Sequence, residues 1–172
     1  SDKLIAQKDR DIIKVITGIR RCGKSVLLFD LYYNWLLKNG VDAGHVIRVN
    51  LENVENRPLR QAESLYAHIC AQILDAGKYY VFIDEIQYVT DFEDLANSLK
   101  NKGCDVYITG SNSKMLSGDI STALRGRSLE IRVHPLSFAE YFAYRGGDRS
   151  TAWKEYLLYG GYPYVATESR AG

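Results

Sequence analysis

Residues Gly18-Ile19-Arg20-Arg21-Cys22-Gly23-Lys24-Ser25 fit the pattern G-x-x-x-x-G-K-[ST] at every fixed position. These residue types at this spacing suit one task, the binding of a polyphosphate. The glycines let the backbone curl so that successive N–H groups converge on phosphate oxygens. A helix starting at the end of the loop adds its unpaired N–H groups and the positive end of its dipole. Lys24 would neutralise the β- and γ-phosphates, and the Ser25 hydroxyl would sit on Mg²⁺. The expected nucleotide-binding set is Gly18, Ile19, Arg20, Arg21, Cys22, Gly23, Lys24, Ser25 and Val26.

A second chemical signal closes the apolar run Tyr80-Val81-Phe82-Ile83-Asp84-Glu85. Asp84 is expected to hold Mg²⁺, directly or through water. Glu85 follows it immediately, where a carboxylate can polarise the water that attacks the γ-phosphate. Pure binding proteins and small-molecule kinases have less need of such a group, so Glu85 tilts the reading towards hydrolysis. A further strand ends in Ile108-Thr109-Gly110-Ser111-Asn112. Its polar tip should lie beside Asp84, with Asn112 preferred as the contact to the γ-phosphate or water and Ser111 or Thr109 as alternatives. Arg125 and Arg127 flank Gly126 ahead of another strand. An arginine near the ligand edge of the sheet could act on a neighbour's γ-phosphate, and Arg127 is the preferred one. Glu85, Asn112 and Arg127 are thus the expected catalytic residues, and Ser25 and Asp84 the metal ligands. Asn101-Lys102-Gly103-Cys104-Asp105 imitates a guanine-reading N-K-x-D, but it carries one extra residue and precedes a strand. ATP is therefore expected rather than GTP. Cys22, beside Lys24 and a helix N-terminus, is expected to have a lowered thiol pKa and to react before Cys70 and Cys104.

These residues need elements to carry them. β-branched and apolar residues predict strands at 12–17, 45–51, 79–83, 105–109 and 129–133. Helical spacing of apolar residues predicts helices at 24–38, 59–74, 92–101, 120–124, 137–144 and 151–159. Ser137 with Glu140 three residues later is a capping-box pattern. Strand and helix alternate five times, which implies an α/β fold. The expected form is a three-layer P-loop NTPase fold with a five-stranded, mostly parallel sheet and right-handed crossovers. In the additional-strand, catalytic-glutamate (ASCE) class of P-loop NTPases, a further strand separates the phosphate-loop strand from the magnesium strand. The stretch 45–51 lies between those two in chain order. Trp153, Tyr156 and Tyr159 recur every three residues and are expected to pack against a lid rather than stack on nucleic acid.

Taken together, several runs resemble the prokaryotic AAA-type ATPases of the archaeal-ATPase and STAND-like group. They are Ile16 to Ser25, Val81 to Gln87, Ile108 to Ser113, Gly126-Arg127, Pro135 to Tyr141 and Gly160-Gly161-Tyr162-Pro163. They occur in the family's order and span nearly the whole chain. The resemblance implies an AAA core, ATP with Mg²⁺, and hydrolysis. It also implies a C-terminal extension, often nuclease-like or winged-helix. Residues 1–145 are then the ATPase core, and 146–172 begin a helical lid or a linker to a further region.

The chain has 172 residues, of which 46% are apolar and 25% charged, so a soluble globular domain is expected. A net charge of +1 advertises neither nucleic acid nor an acidic membrane surface. The longest apolar run falls far short of the ~20 residues of a membrane helix. Three widely spaced cysteines without a CxxC pair fit a reducing cytoplasm. The single methionine is Met115, and both ends read as cuts from something longer. The expected function is ATP hydrolysis that drives a conformational change in an attached module or partner. The alternative is a nucleotide-dependent switch or scaffold with little turnover. A homo-oligomer is one expected partner, and a protein or DNA bound through a C-terminal region is another.

Overall fold

Five strands form the centre of the computed structural model: β1 (Ile13–Thr17), β2 (Val46–Asn50), β3 (Tyr80–Asp84), β4 (Asp105–Gly110) and β5 (Ser128–Arg132). The structure describes residues 2–110, 124 and 126–161. Every strand pair is parallel, and the spatial order is β2-β3-β4-β1-β5. A parallel sheet needs cover on both faces, and the residues of β1, β3 and β4 are buried throughout. Alternation along the strands divides them between two cores. Val15, Val81, Ile83, Val106 and Ile108 face α3 (Ala62–Cys70) and α4 (Phe92–Asn101). Ile16, Phe82 and Tyr107 face the helix that follows the phosphate loop. That helix is π-wound over Val26–Tyr32 before it becomes α2 (Tyr33–Lys38). The helical spacing in the sequence predicts this element but not its winding. π-turns inside helices are frequent at functional sites. Together these layers form the three-layer α/β fold of P-loop NTPases.

The strand inserted between the phosphate-loop strand and the Asp84 strand is β4, whereas the stretch 45–51 forms β2 at the sheet edge. Chain order and spatial order differ because right-handed crossovers carry the chain over its neighbours. The helix expected at 59–74 is shorter, and a 3-10 segment Val54–Arg60 containing Pro58 precedes it. The helix expected at 120–124 lies largely outside the described residues.

At the N-terminal end of the sheet, Lys14 and Asp105 form a fully buried ion pair. Lys14 also donates to Arg10 O at 2.7 Å, and Asp105 accepts from Asp9 N at 2.8 Å and Tyr107 OH at 3.0 Å. Tyr107 OH in turn meets Tyr32 OH at 2.7 Å. Removing one partner of such a pair typically costs about 3–5 kcal/mol, because the other charge is left buried alone. The network ties the segment after α1 (Asp2–Ile5) to β1, β4 and the phosphate-loop helix.

α5 (Phe138–Arg145) begins at Ser137, whose side chain closes the expected capping box with Glu140. α6 (Arg149–Tyr159) starts at the Asp148 cap. Trp153 and Tyr156 pack against Phe138 of α5, at ring-centroid distances of 4.7 and 5.5 Å. Trp153 and Tyr156 of the aromatic repeat therefore find their partner in the preceding helix, Tyr156 half-buried and Trp153 still exposed on its outer side, while Tyr159 is exposed.

Candidate functional site

Because all strand pairs are parallel, Thr17, Asn50, Asp84, Gly110 and Arg132 end their strands at one edge. Ligands of open α/β sheets bind outside this carboxyl edge. The phosphate loop leaves β1 there. Gly18 has φ 154°, and a Cβ on it would meet Val133 O at 2.4 Å and Cys22 Sγ at 2.8 Å. Only glycine fits between the loop and the end of β5. Arg21 and Gly23 then take positive φ, 65° and 96°, which curls the chain back towards the helix. A left-handed Arg21 is a strained residue of the kind found at ligand sites. Lys24 is buried and donates to Gly18 O and Ile19 O, both at 3.1 Å. Its ammonium thus lies inside the curl of the loop. Ser25 is half-buried at the first turn of the helix.

Asp84 is buried at the end of β3 and accepts a hydrogen bond from Thr109 Oγ1. The same hydroxyl accepts from Glu85 N at 3.2 Å. Thr109 therefore fixes both the Asp84 carboxylate and the backbone of the next residue. Adjacent strands lie about 4.8 Å apart, so β3 and β1, with β4 between them, are separated by about 10 Å. The acidic tip thus stands back from the phosphate loop. Glu85 itself has φ 57° and ψ 48°, a left-handed conformation rare outside glycine. It turns the chain off the strand into a 3-10 turn, and its Oε2 accepts from Gln87 Nε2.

A carboxylate oxygen and a hydroxyl are the hard donors that Mg²⁺ selects, so Asp84 and Ser25 fit that ion by chemistry. The Thr109 bond orients Asp84 as an outer-shell partner orients a metal ligand.

The structure brings Gly18 to Val26, Asp84, Glu85 and Thr109 to one edge. Ser111, Asn112 and Arg125 lie outside the described residues. Arg127 is elsewhere. Its carbonyl accepts from Ile13 N at 2.9 Å, and the parallel register pairs Ser128 with Ile13. It is exposed at the N-terminal end of the sheet, roughly 16 Å of strand away from its own phosphate loop. The expectation that it borders the ligand edge fails because β5 runs parallel to β1 and begins where β1 begins. The arginine that β5 does bring to the ligand edge is Arg132, paired in register with Thr17. It forms an exposed ion pair with Glu130 at 3.3 Å, and Glu130 also accepts from Thr17 Oγ1 at 2.6 Å. Neither Arg132 nor the link from Gln87 to Glu85 is singled out by the motifs. Their sequence signals are the strand end for Arg132 and, for Gln87, its place two residues beyond Glu85 at the close of the run Val81 to Gln87.

Cys22 also differs from expectation. It is only 3% exposed, and burial pushes its thiol up, outweighing the opposing pull of Lys24. Arg20, in the same loop, meets Glu52 at 3.6 Å in an exposed pair beyond the end of β2.

A family model described as an AAA domain matches residues 10–142. An uncharacterized protein of Haemophilus influenzae is 38% identical over 170 residues, covering 95% of this chain and 42% of its own length. An uncharacterized protein of Methanocaldococcus jannaschii is 33% identical over 175 residues, covering 95% of this chain and 37% of its own. The chain thus spans about two fifths of these curated relatives. Among solved structures, the Saccharomyces cerevisiae Hsp104:casein complex aligns with a TM-score of 0.63 at 17% identity, over 97% of this chain and 35% of that one. A DNA polymerase III gamma subunit-related protein of Thermotoga maritima aligns at 0.62 with 13% identity, over 98% of this chain and 56% of that one. At such identities these likenesses show the fold alone.

Proposed function

The chain belongs to the AAA domain family, and on that premise we propose that it binds ATP with Mg²⁺ and hydrolyses it to drive a conformational change in an attached module or partner. The observation that carries this reading is the carboxylate pair at the tip of β3. Asp84 is buried and held by Thr109, and Glu85 turns out of the strand immediately beside it. Such a pair across the sheet edge from a phosphate loop suits hydrolysis, whereas binding alone needs only the loop. In this account Lys24 and the loop backbone from Gly18 to Val26 hold the phosphates. Ser25 and Asp84 hold the ion, whose role when bound is to neutralise charge developing on the phosphate oxygens. Glu85 accepts the proton of the attacking water. Asn112, which follows β4 in the sequence, is assigned the contact to the γ-phosphate, and Arg127 completes the site of a neighbouring copy.

We further assign the chain to the archaeal-ATPase and STAND-like group. Residues 1–145 form the core, and 146–172 begin a lid or linker to a C-terminal region that meets protein or DNA. The greater length of the relatives supports a further region. No helix among the described residues is long and apolar enough to cross a membrane. The cytoplasm is the proposed location, resting on the three scattered free cysteines.

The test is nucleotide titration calorimetry beside a phosphate-release assay. Lys24→Ala should abolish ATP binding, because a charge-assisted contact to the polyphosphate is lost. Glu85→Gln should bind ATP as the parent does and lose roughly 10²–10⁴ in turnover, since an amide cannot take the water's proton. Parent protein that binds ATP but releases no phosphate would replace this reading with the nucleotide-dependent switch.

A further inference from the structure

Beyond Glu85 the chain makes a single 3-10 turn, Ile86–Tyr88. Ile86 is buried in the core beneath it. Tyr88 lies under the Arg60 guanidinium at 4.1 Å, and Arg60 also donates to Leu51 O, just beyond β2, at 2.7 and 2.9 Å. The turn is therefore braced from below and from the side, and Gln87 leaves it from a fixed backbone.

The Gln87 amide is placed in an unusual way. Nε2 donates to Glu85 Oε2, the only hydrogen bond this amide makes among the described residues. Oε1 is buried and has no hydrogen-bond partner among the described residues. Reversing the amide would set oxygen against carboxylate oxygen, so the assignment follows from the chemistry. A buried acceptor without a partner is costly, and an apolar side chain of similar size would avoid that cost. Glutamine thus offers one thing at this position that methionine lacks, the N–H directed at Glu85.

Glu85 is a group for which such a hold matters. Its main chain is in the left-handed region and its N–H is tied to Thr109. The carboxylate at the end of a flexible side chain must still face the water, and small misplacements of a reacting group are expensive in rate.

We propose that Gln87 is a positioning residue for ATP hydrolysis. Its Nε2–H holds the Glu85 carboxylate in the orientation from which it receives the proton of the attacking water. This role rests on the reading of Glu85 as the base. In the step itself the water oxygen bonds to the γ-phosphorus, the bond to the β–γ bridging oxygen breaks, and ADP leaves with that electron pair. The proton passes to Glu85, and Gln87 exchanges none.

The experiment is Gln87→Met in the full-length protein, which keeps the volume and removes both polar atoms. The Kd and KM for Mg-ATP should stay within about twofold of the parent while kcat falls roughly ten- to hundredfold. The melting temperature should stay level or rise, because the partnerless acceptor is gone. A residue that merely supports the fold would instead lose stability and activity together. Added to Glu85→Gln, Gln87→Met should change the residual rate by less than about twofold, since the two act as one unit. A parent-like kcat in Gln87→Met, a raised kcat, or a lowered melting temperature that accounts for the lost rate would each overturn the role of Gln87 alone. A parent that binds ATP and releases no phosphate would overturn the reading of Glu85 and this role with it.

Discussion

A thiol between the two glycines of a phosphate loop is reactive only if reagents can reach it. Cys22 lies under the loop against Gly18, buried, with its thiol pushed up by that burial. Cys104 is buried too and its thiol is likewise raised by burial, whereas Cys70 at the end of α3 is partly exposed. Maleimide should therefore label Cys70 first, and Mg-ATP should leave that rate unchanged. Mass spectrometry of peptides from a time course checks this, and first labelling at Cys22 would contradict the packing of the loop. The loop and the carboxylate pair are legible in the sequence because their chemistry demands fixed spacing. The burial of Cys22 is not, because it depends on how the loop folds back against Gly18, which itself packs on Val133 O at the end of β5, more than a hundred residues away. The bond from Thr109 to Asp84 is half legible. The polar tip of β4 is expected beside Asp84, but the member of that tip making contact depends on register, which pairs Ile108 with Ile83.

Among the elements, the strands were readable as runs of buried β-branched and apolar residues, and their alternation with helices implied parallel pairing. Spatial order was not readable, since a crossover leaves no local mark on the strands it skips. That is why β4 rather than β2 fills the position between the two motif strands. The π-winding of Val26–Tyr32 has no mark either, because the same apolar spacing serves an α-helix. The pair α5 and α6 shows what local signals do fix, namely two caps and an aromatic seam. Its polar lock is Glu155, which accepts two bonds from Arg145, at 2.6 and 2.8 Å, and one from Tyr141 at 3.1 Å. The Arg145 guanidinium holds the Glu155 carboxyl below the usual 4.5. A carboxylate lowered in the folded state adds stability above its unfolded pKa and loses it as pH falls through the folded one. Acidification below the usual carboxylate value should therefore release α6 from α5. Hydrogen exchange should show α6 amides losing protection before those of β1 and β4. Glu155→Gln should loosen α6 at neutral pH and remove the share of this pH dependence carried by the lock, leaving the share of the Asp148 cap, whose carboxyl is lowered by the bond it accepts from Thr151 N–H. Protection of α6 that is equal at neutral and acidic pH in the parent would contradict the lock.

At the scale of the whole molecule, Arg127 sits at the opposite end of the sheet from its own phosphate loop. The only phosphate such a residue can reach is one bound to another copy, and an arginine supplied in trans is worth about 10³–10⁵ in rate. Specific activity of the full-length protein should then rise with concentration, and Arg127→Ala should bind ATP normally and hydrolyse it poorly. Mixing Arg127→Ala with Glu85→Gln should restore activity, since a mixed interface joins an intact Glu85 to an intact Arg127. Flat activity on dilution at saturating ATP, with no rescue on mixing, would make Arg127 an ordinary surface residue. Hydrolysis at the edge that carries the loop and the β3 carboxylates is the central claim, and the state of the bound nucleotide tests it most directly. Parent protein and Glu85→Gln would each be incubated with ATP and Mg²⁺, freed of unbound nucleotide, denatured and analysed for ATP and ADP. The account predicts ADP on the parent, ATP on Glu85→Gln and neither on Lys24→Ala. ADP appearing on Glu85→Gln as fast as on the parent would contradict it.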